Sequence, residues 1–203
     1  MKLYATPLSH FSRKIRILLG ELGIPFEWVH TPGVMDTSTT GYGDNPLLRV
    51  PTLVDGEHTL IDSDHIARYL VANYDPRDWF GVTSVEVEAL NRLAVANGVM
   101  ANEVTILLAQ RGGLAIRGAV YFDKLFAAIE QGLAWLDARI TPGAPFDYRD
   151  IALISMWQHV EHYQLVPALD RFPRIAAQVA RFADRPAVAT TTPAASLVSD
   201  DTK

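Results

Sequence analysis

The sequence predicts an α/β domain followed by an all-helical domain, and three observations support this division. Strand and helix signals alternate over residues 1–75 of the 203-residue chain. The segment Asp75-Pro76-Arg77-Asp78 then interrupts the last helix of that region. Beyond it, strand signals vanish and apolar residues recur at helical spacing.

The predicted α/β domain has the order β-α-β, loop, β-β-α. Its strands are predicted at residues 2–5, 26–30, 52–54 and 59–61. The first helix ends at Gly23, a C-cap glycine, and Asp55-Gly56 marks the turn of a hairpin. Asp62-Ser63-Asp64 opens a second helix. Such a unit has a mixed sheet, parallel across the first crossover and antiparallel in the hairpin.

The second half predicts four helices with a bundle-like core. Two of them span residues 84–111 and 119–139, Asp147 and Asp150 form a capping box that opens the third, and Pro173 begins the fourth. The predicted domains are residues 1–77 and 84–190, with a linker at 78–83 and a loose tail at 191–203.

Composition excludes several classes of function. The net charge is −5 and no run of lysine or arginine occurs, so nucleic acid is not an expected partner. The chain has no cysteine, which excludes disulfides, thiolate metal sites and a cysteine nucleophile. Any thiol chemistry must use a thiol that arrives with a ligand. The N-terminus lacks the apolar region of a signal peptide, and no segment approaches the roughly 20 apolar residues that span a bilayer. We therefore expect a cytoplasmic protein.

Two predicted helix N-termini suit an anionic ligand. Ser9 stands at the expected N-cap of the first helix, where free N–H groups and the helix dipole favour a thiolate or a carboxylate. A capping serine accepts a hydrogen bond and can still donate its own. At the second helix, the zwitterion of an amino acid fits Asp62 and Ser63: its carboxylate would contact Ser63 and its ammonium would face Asp62. Ordinary capping by Ser9, Asp62 or Ser63 remains the alternative.

Between these helices, Val50-Pro51 precedes the third strand. A proline there can protect a sheet edge, or its peptide bond can be cis. A cis bond would turn the Val50 N–H and C=O away from the sheet, where they could pair with an extended peptide.

The order of these segments resembles that of the cytosolic glutathione S-transferases, particularly the bacterial enzymes with an active-site serine. The similar segments extend over nearly the whole chain: Ser9–Lys14, residues 45–53 (NPLLRVPTL), residues 61–66 (IDSDHI), residues 146–153 (FDYRDIAL) and residues 181–188 (RFADRPAV). The sequence departs from the family pattern in having His10 in place of proline, Leu48 in place of glycine and Asp62 in place of glutamate.

The resemblance implies a thioredoxin-like N-terminal domain, an all-helical C-terminal domain, glutathione as cosubstrate and a homodimer with a role in detoxification. Ser9 would face the glutathione sulfur. Val50 and cis-Pro51 would hold the cysteinyl backbone, and Asp62 and Ser63 the γ-glutamyl end. Arg49, which precedes Val50, is also predicted to contact glutathione.

The acceptor pocket is expected beside the first helix and along the helix at 84–111. Its predicted lining is Leu8, His10, Met100, Glu103, Leu107 and Arg111. A solvated side chain is the favoured interpretation of His10, with tuning of the thiolate or contact with the second substrate as alternatives. His159 and His162 lie three residues apart, but no further ligand set is apparent, so no metal is expected.

The leading hypothesis is an enzyme that transfers the glutathione thiol to a small apolar electrophile. Reduction of a disulfide or a peroxide at the same site is an alternative. A glutathione-binding or protein-interaction module without turnover is another.

Overall fold

The computed structural model describes residues 1–200, with side chains up to residue 197. The chain divides into two compact units. Met1–Thr83 and the chain from Asp184 onward form the N-terminal unit, and Ser84–Ala183 forms the helical unit.

The N-terminal unit contains a four-stranded mixed sheet. Its elements are β1 (Lys2–Ala5), α1 (His10–Glu21), β2 (Glu27–His30), a 3-10 turn (Thr39–Tyr42), β3 (Thr52–Asp55), β4 (His58–Ile61) and α2 (Ser63–Tyr74). The strand order is β2-β1-β3-β4. β1 runs parallel to β2 and antiparallel to β3, and β3 and β4 form the antiparallel hairpin. The predicted thioredoxin-like topology is confirmed.

The core of this unit follows from the spacing of apolar residues. Leu3 and Ala5 alternate along β1 and are fully buried, as strand periodicity requires. On α1, Ile15, Leu18 and Leu19 recur at helical spacing and are also fully buried. The side chains of β1 and α1 thus fix where the N-terminus of α1 lies relative to the sheet.

The helical unit contains α3 (Val87–Arg111), α4 (Val120–Asp137), α5 (Tyr148–Tyr163), a 3-10 turn (Leu169–Arg171) and α6 (Pro173–Arg181). α5 begins with the predicted capping box: the Asp147 carboxylate accepts from the backbone N–H of Asp150, and the Asp150 carboxylate accepts from that of Asp147. The predicted all-helical second domain is confirmed.

By length and composition alone, Val87–Arg111 could cross a membrane, which differs from the expectation that no segment approaches that length. The same helix packs along both α4 and α5. Only 28% of its most apolar 18 residues are buried, so packing within the unit accounts for part of the apolar composition.

The end of the chain differs from the predicted loose tail. α7 (Pro186–Ala189) and α8 (Pro193–Asp200) belong to the N-terminal unit, whereas we expected the helical domain to extend to residue 190. Two buried arginines of α1 hold this segment. Arg13 donates to Thr191 Oγ1 at 3.3 Å, and Arg16 donates to the Ser196 hydroxyl at 3.0 Å. Residues 201–203 of the predicted tail lie outside the described residues.

Candidate glutathione site

Three segments meet at one end of the sheet. Tyr4 near the end of β1 pairs with Thr52 at the start of β3, and Thr52 pairs with Ile61 at the end of β4. The loop leading to Ser9 follows β1, Val50-Pro51 precedes β3, and Asp62-Ser63 follows β4. The sheet register therefore places all three predicted segments at the same end of the strands, which we call the sheet end.

Ser9 is the N-cap of α1. Its backbone is extended (φ −66°, ψ 112°), and its Oγ accepts a hydrogen bond from the backbone N–H of Ser12 at 3.1 Å. The Ser9 side chain is half-buried, and its O–H is available to donate because the capping bond uses only a lone pair. Ser12 is fully buried, and its hydroxyl has no hydrogen-bond partner among the described residues. Ser9 is thus the more accessible of the two hydroxyls.

The Val50-Pro51 peptide bond is cis. Buried Asn45 braces this segment by donating from Nδ2 to the Arg49 carbonyl at 2.9 Å. The Arg49 side chain itself is exposed. Leu48 has a φ of 53°, in the left-handed region that favours glycine. The glycine that Leu48 replaces in the family pattern therefore suits the backbone conformation at this position.

Asp62 and Ser63 form the start of α2. Asp62 is exposed, has a φ of 76° and caps the helix by accepting the Asp64 N–H at 2.9 Å. Ser63 is buried at the first helical position. The first N–H groups of a helix have no partner within the helix and carry partial positive charge. The arrangement can accept a carboxylate at Ser63 and present an acid to a neighbouring ammonium.

Lys14 is a charged residue of this unit to which sequence reasoning assigned no role. The side chain is fully buried on α1, and its ammonium lies 2.7 Å from an oxygen of Asp64, on the first turn of α2. Burial lowers the pKa of Lys14, while the carboxylates of Asp64 and Asp62 oppose this shift. The only signal in the sequence was the cluster Arg13-Lys14-Ile15-Arg16, which ordinarily indicates an exposed helix face.

His10, the first residue of α1, is buried, so the interpretation of a solvated side chain is wrong. Its ring packs edge-on against Phe11 with ring centroids 4.9 Å apart. Helix position explains the burial, because a residue beside the N-cap can point toward the protein interior as readily as toward solvent. Leu8, in the preceding loop, is half-buried.

The residues predicted on α3 differ in exposure along the helix. Met100 and Glu103 are fully buried, Leu107 is half-buried, and exposed Arg111 donates to the Tyr163 hydroxyl at 3.0 Å. Their role as an acceptor pocket stays a prediction.

Glu103 pairs with a histidine that the sequence did not connect to it. Its carboxylate contacts Nδ1 of buried His159 on α5, and its other oxygen has no hydrogen-bond partner among the described residues. Burial raises the pKa of Glu103 well above its ordinary value, which favours the neutral acid. His162, the other histidine considered as a ligand, is exposed.

The N-terminal unit is similar to a known protein family. Residues 3–78 match the family model described as glutathione S-transferase, N-terminal domain. Over 78 residues the chain is 36% identical to glutathione S-transferase 3 of Zea mays, an alignment that covers 36% of this chain and 34% of the maize protein. It is 27% identical over 219 residues to the dichloromethane dehalogenase of Methylorubrum extorquens, covering 92% of this chain and 72% of that enzyme.

The solved structures extend the likeness to both units. A glutathione S-transferase from Methylobacterium radiotolerans, in complex with glutathione sulfonate, is 25% identical with a TM-score of 0.79. The match covers 95% of this chain and 94% of that one. Residues 3–78 are thus similar to the glutathione S-transferase N-terminal domain, and the chain as a whole has the fold of the solved glutathione S-transferases.

Proposed function

We propose that the protein is a glutathione transferase of the serine type, which activates the glutathione thiol for attack on a small apolar electrophile. The observation that carries the proposal is the sheet end, where Ser9, Val50-Pro51 and Asp62-Ser63 come together. A family match over residues 3–78 supports glutathione as the ligand of these segments.

In this proposal each segment holds one part of the tripeptide. Val50 pairs through its backbone with the cysteinyl residue, beside Pro51, and Arg49 lies in the same segment. Ser63 receives the γ-glutamyl carboxylate at the N-terminus of α2, and the Asp62 carboxylate faces the ammonium. These contacts would place the cysteinyl sulfur toward Ser9.

Ser9 would promote ionisation of the bound thiol. A free thiol of this kind has a pKa of about 8.5, so only a small fraction is thiolate at neutral pH. Donation from the Ser9 hydroxyl and the positive end of the α1 dipole both stabilise the thiolate. The thiolate sulfur then attacks the electrophilic carbon, a C–S bond forms, and the leaving group departs with its electron pair. Holding both reactants together supplies proximity.

The proposal extends to the acceptor, the assembly and the location. Similarity to a dichloromethane dehalogenase supports an organic halide as one class of electrophile. The acceptor would lie near Leu8 and His10. The active form would be a homodimer in the cytoplasm, with detoxification as its role and without a metal. Light scattering should then give about twice the 22.4 kDa of one chain; a mass of one chain at micromolar concentration would contradict the dimer.

Activity separates this proposal from its alternatives. The protein is mixed with glutathione and, in separate assays, a chlorodinitrobenzene, a haloalkane, a hydroperoxide and a disulfide. Conjugation with release of halide supports the transferase. Turnover of the hydroperoxide or the disulfide alone would assign a reductase, and glutathione binding without turnover would assign a binding module.

Ser9 provides the sharper test of mechanism. Glycine keeps most of the capping ability at an N-cap, with a cost of a few tenths of a kcal/mol, so Ser9→Gly should fold normally. It should nevertheless raise the pKa of the bound thiol and slow conjugation. Ultraviolet absorbance of bound thiolate, followed against pH, measures this shift. Ser12→Ala is the matched control, because it removes a buried hydroxyl that has no partner among the described residues. A shift in Ser12→Ala but not in Ser9→Gly would overturn the assignment.

A further inference from the structure

The N-terminus of α2, proposed to bind a carboxylate, already carries acidic side chains. The proposed function places the γ-glutamyl carboxylate of glutathione there, yet two acids, Asp62 and Asp64, occupy the same turn. A carboxylate at a helix N-terminus is favourable, but additional negative charge beside it is repulsive. Asp62 has a proposed use, because it would face the ammonium of the ligand. Asp64 has none.

The ammonium of Lys14 is paired with the Asp64 carboxylate. Its ammonium lies 2.7 Å from Asp64 Oδ1, the geometry of a charge-assisted hydrogen bond. The lysine side chain has no exposed surface and that of Asp64 is 25% exposed, so solvent screens the pair only weakly. The pair also joins α1, which begins beside Ser9, to the first turn of α2.

The other two buried cations of α1 contact the C-terminal segment. Arg13 donates to Thr191 and to the Val188 carbonyl, and Arg16 donates to Ser196. Both point to the C-terminal segment. Lys14 is the cation of α1 whose ammonium contacts the first turn of α2.

We propose that Lys14 is a positioning residue that neutralises Asp64 and thereby keeps the N-terminus of α2 selective for an anionic γ-glutamyl carboxylate. The lysine does not touch glutathione; it acts through the charge and the side-chain orientation of Asp64. Without this cation, Asp64 would repel the ligand carboxylate and compete with it for the same N–H groups. This inference rests on the proposed function.

The test compares two ligands that differ by one charge. Calorimetry measures the affinities for glutathione and for the analogue in which the γ-glutamyl α-carboxylate is a primary amide. The decisive quantity is the ratio of the two affinities on the same preparation, because a partly unfolded sample lowers both affinities equally. Loss of overall stability alone therefore leaves the ratio unchanged.

Opposite changes are expected from the two partners. Lys14→Met should reduce the preference for glutathione over the amide by about fivefold, the size of a charge effect at a helix terminus. Asp64→Asn should increase that preference, because the cation remains and the competing carboxylate is gone. Lys14→Arg should keep the parent ratio, and the double variant Lys14→Met/Asp64→Asn should return the ratio close to that of the parent.

A ratio that stays at the parent value in both Lys14→Met and Asp64→Asn would overturn the inference and assign the pair a purely structural role. If either single variant fails to fold, the other still predicts a shift of defined sign. If the parent binds neither ligand, it is the proposed function that fails. Parent binding with an unmoved ratio contradicts only the role of Lys14.

Discussion

The helices of the two units differ in the ionisable side chains that they bury. In the N-terminal unit, α1 buries three cations, Arg13, Lys14 and Arg16. In the helical unit, α3 and α5 bury the acids Glu103 and Asp150. Buried charge is costly unless it is paired or neutralised, and the units meet this cost in different ways.

In the N-terminal unit the cations keep partners. Lys14 has a carboxylate, whereas Arg13 and Arg16 have hydroxyls and a carbonyl of the C-terminal segment. Burial lowers the pKa of Arg13 to about 9 and that of Arg16 to about 10, so both remain charged at neutral pH. Positive charge at this location suits a unit whose proposed ligand is an anion.

In the helical unit, burial instead raises the pKa of both acids. Asp150 retains the capping box, a hydrogen bond from Gln178 and the attraction of Arg92. Glu103 contacts His159 and is the more strongly shifted. The comparison teaches that burial alone does not set the charge of a group: the partners in the N-terminal unit favour the ionised state, and the surroundings of Glu103 favour the neutral one.

The largest expected effect comes from Glu103→Gln, followed as a function of pH. A raised native pKa means that the acid contributes stability below its ordinary value of 4.5, and this contribution is lost as pH rises through the native pKa. Glutamine does not titrate. The free energy of unfolding of the parent should therefore fall relative to the variant as pH rises, by up to about 1.4 kcal/mol per pH unit.

Denaturant titrations at pH values from 5 to 8, spaced about one pH unit apart, measure the difference in the free energy of unfolding between the parent and the variant. Glu88→Gln removes an exposed carboxyl of α3 and should leave the slope of the parent. If the stability of the parent relative to Glu103→Gln does not fall between pH 5 and pH 8, the pKa of Glu103 is not raised and the contrast between the units fails.

The next effect tests the cations. Asp64→Asn removes the carboxylate from fully buried Lys14 and should lower the free energy of unfolding by about 3 kcal/mol. The double variant Lys14→Met/Asp64→Asn should recover most of this loss, because an apolar side chain then occupies the buried position. Thermal and denaturant unfolding measure both. An equal loss in the single and double variants would mean that the negative charge is not what stabilises Lys14.

A smaller effect tests the packing of the C-terminal segment on α1. A Cβ added at Gly20 would lie 2.8 Å from the Cβ of Ala187, which is closer than two carbons approach. Gly20→Ala should destabilise the protein by about 1–2 kcal/mol, the cost of overpacking. Ala187→Gly in the same chain removes the clash and should restore stability. If Gly20→Ala is neutral, α7 does not hold this position against α1.

Local chemistry explains what the sequence could predict. Ser9, Asp62 and the Asp147–Asp150 capping box cap the N-termini of helices. Such caps can be predicted from residues within one turn of the helix end. The hairpin and the apolar periods of the strands are equally local. The sheet topology then follows from few alternatives, since short connections and a right-handed crossover leave little choice.

Long-range partners explain what it could not predict. Lys14 and Asp64 are 50 residues apart, and Arg13 and Thr191 are 178 apart. A charged residue in a helix usually indicates an exposed face, so no pattern distinguishes these buried cations from solvated ones. The same limit applies to His10 and to the pairing of Glu103 with His159, and it is why the sequence predicts a loose tail at residues 191–203.

Calorimetric titration of the unmodified protein with glutathione tests the central claim most directly, with Ser63→Ala as the matched variant. We expect one glutathione site per chain in the parent. In Ser63→Ala, binding should weaken by roughly 1–3 kcal/mol, the scale of a lost hydrogen bond to a charged group. Absence of any binding heat for the parent at millimolar glutathione would contradict the assignment of the sheet end as a glutathione site.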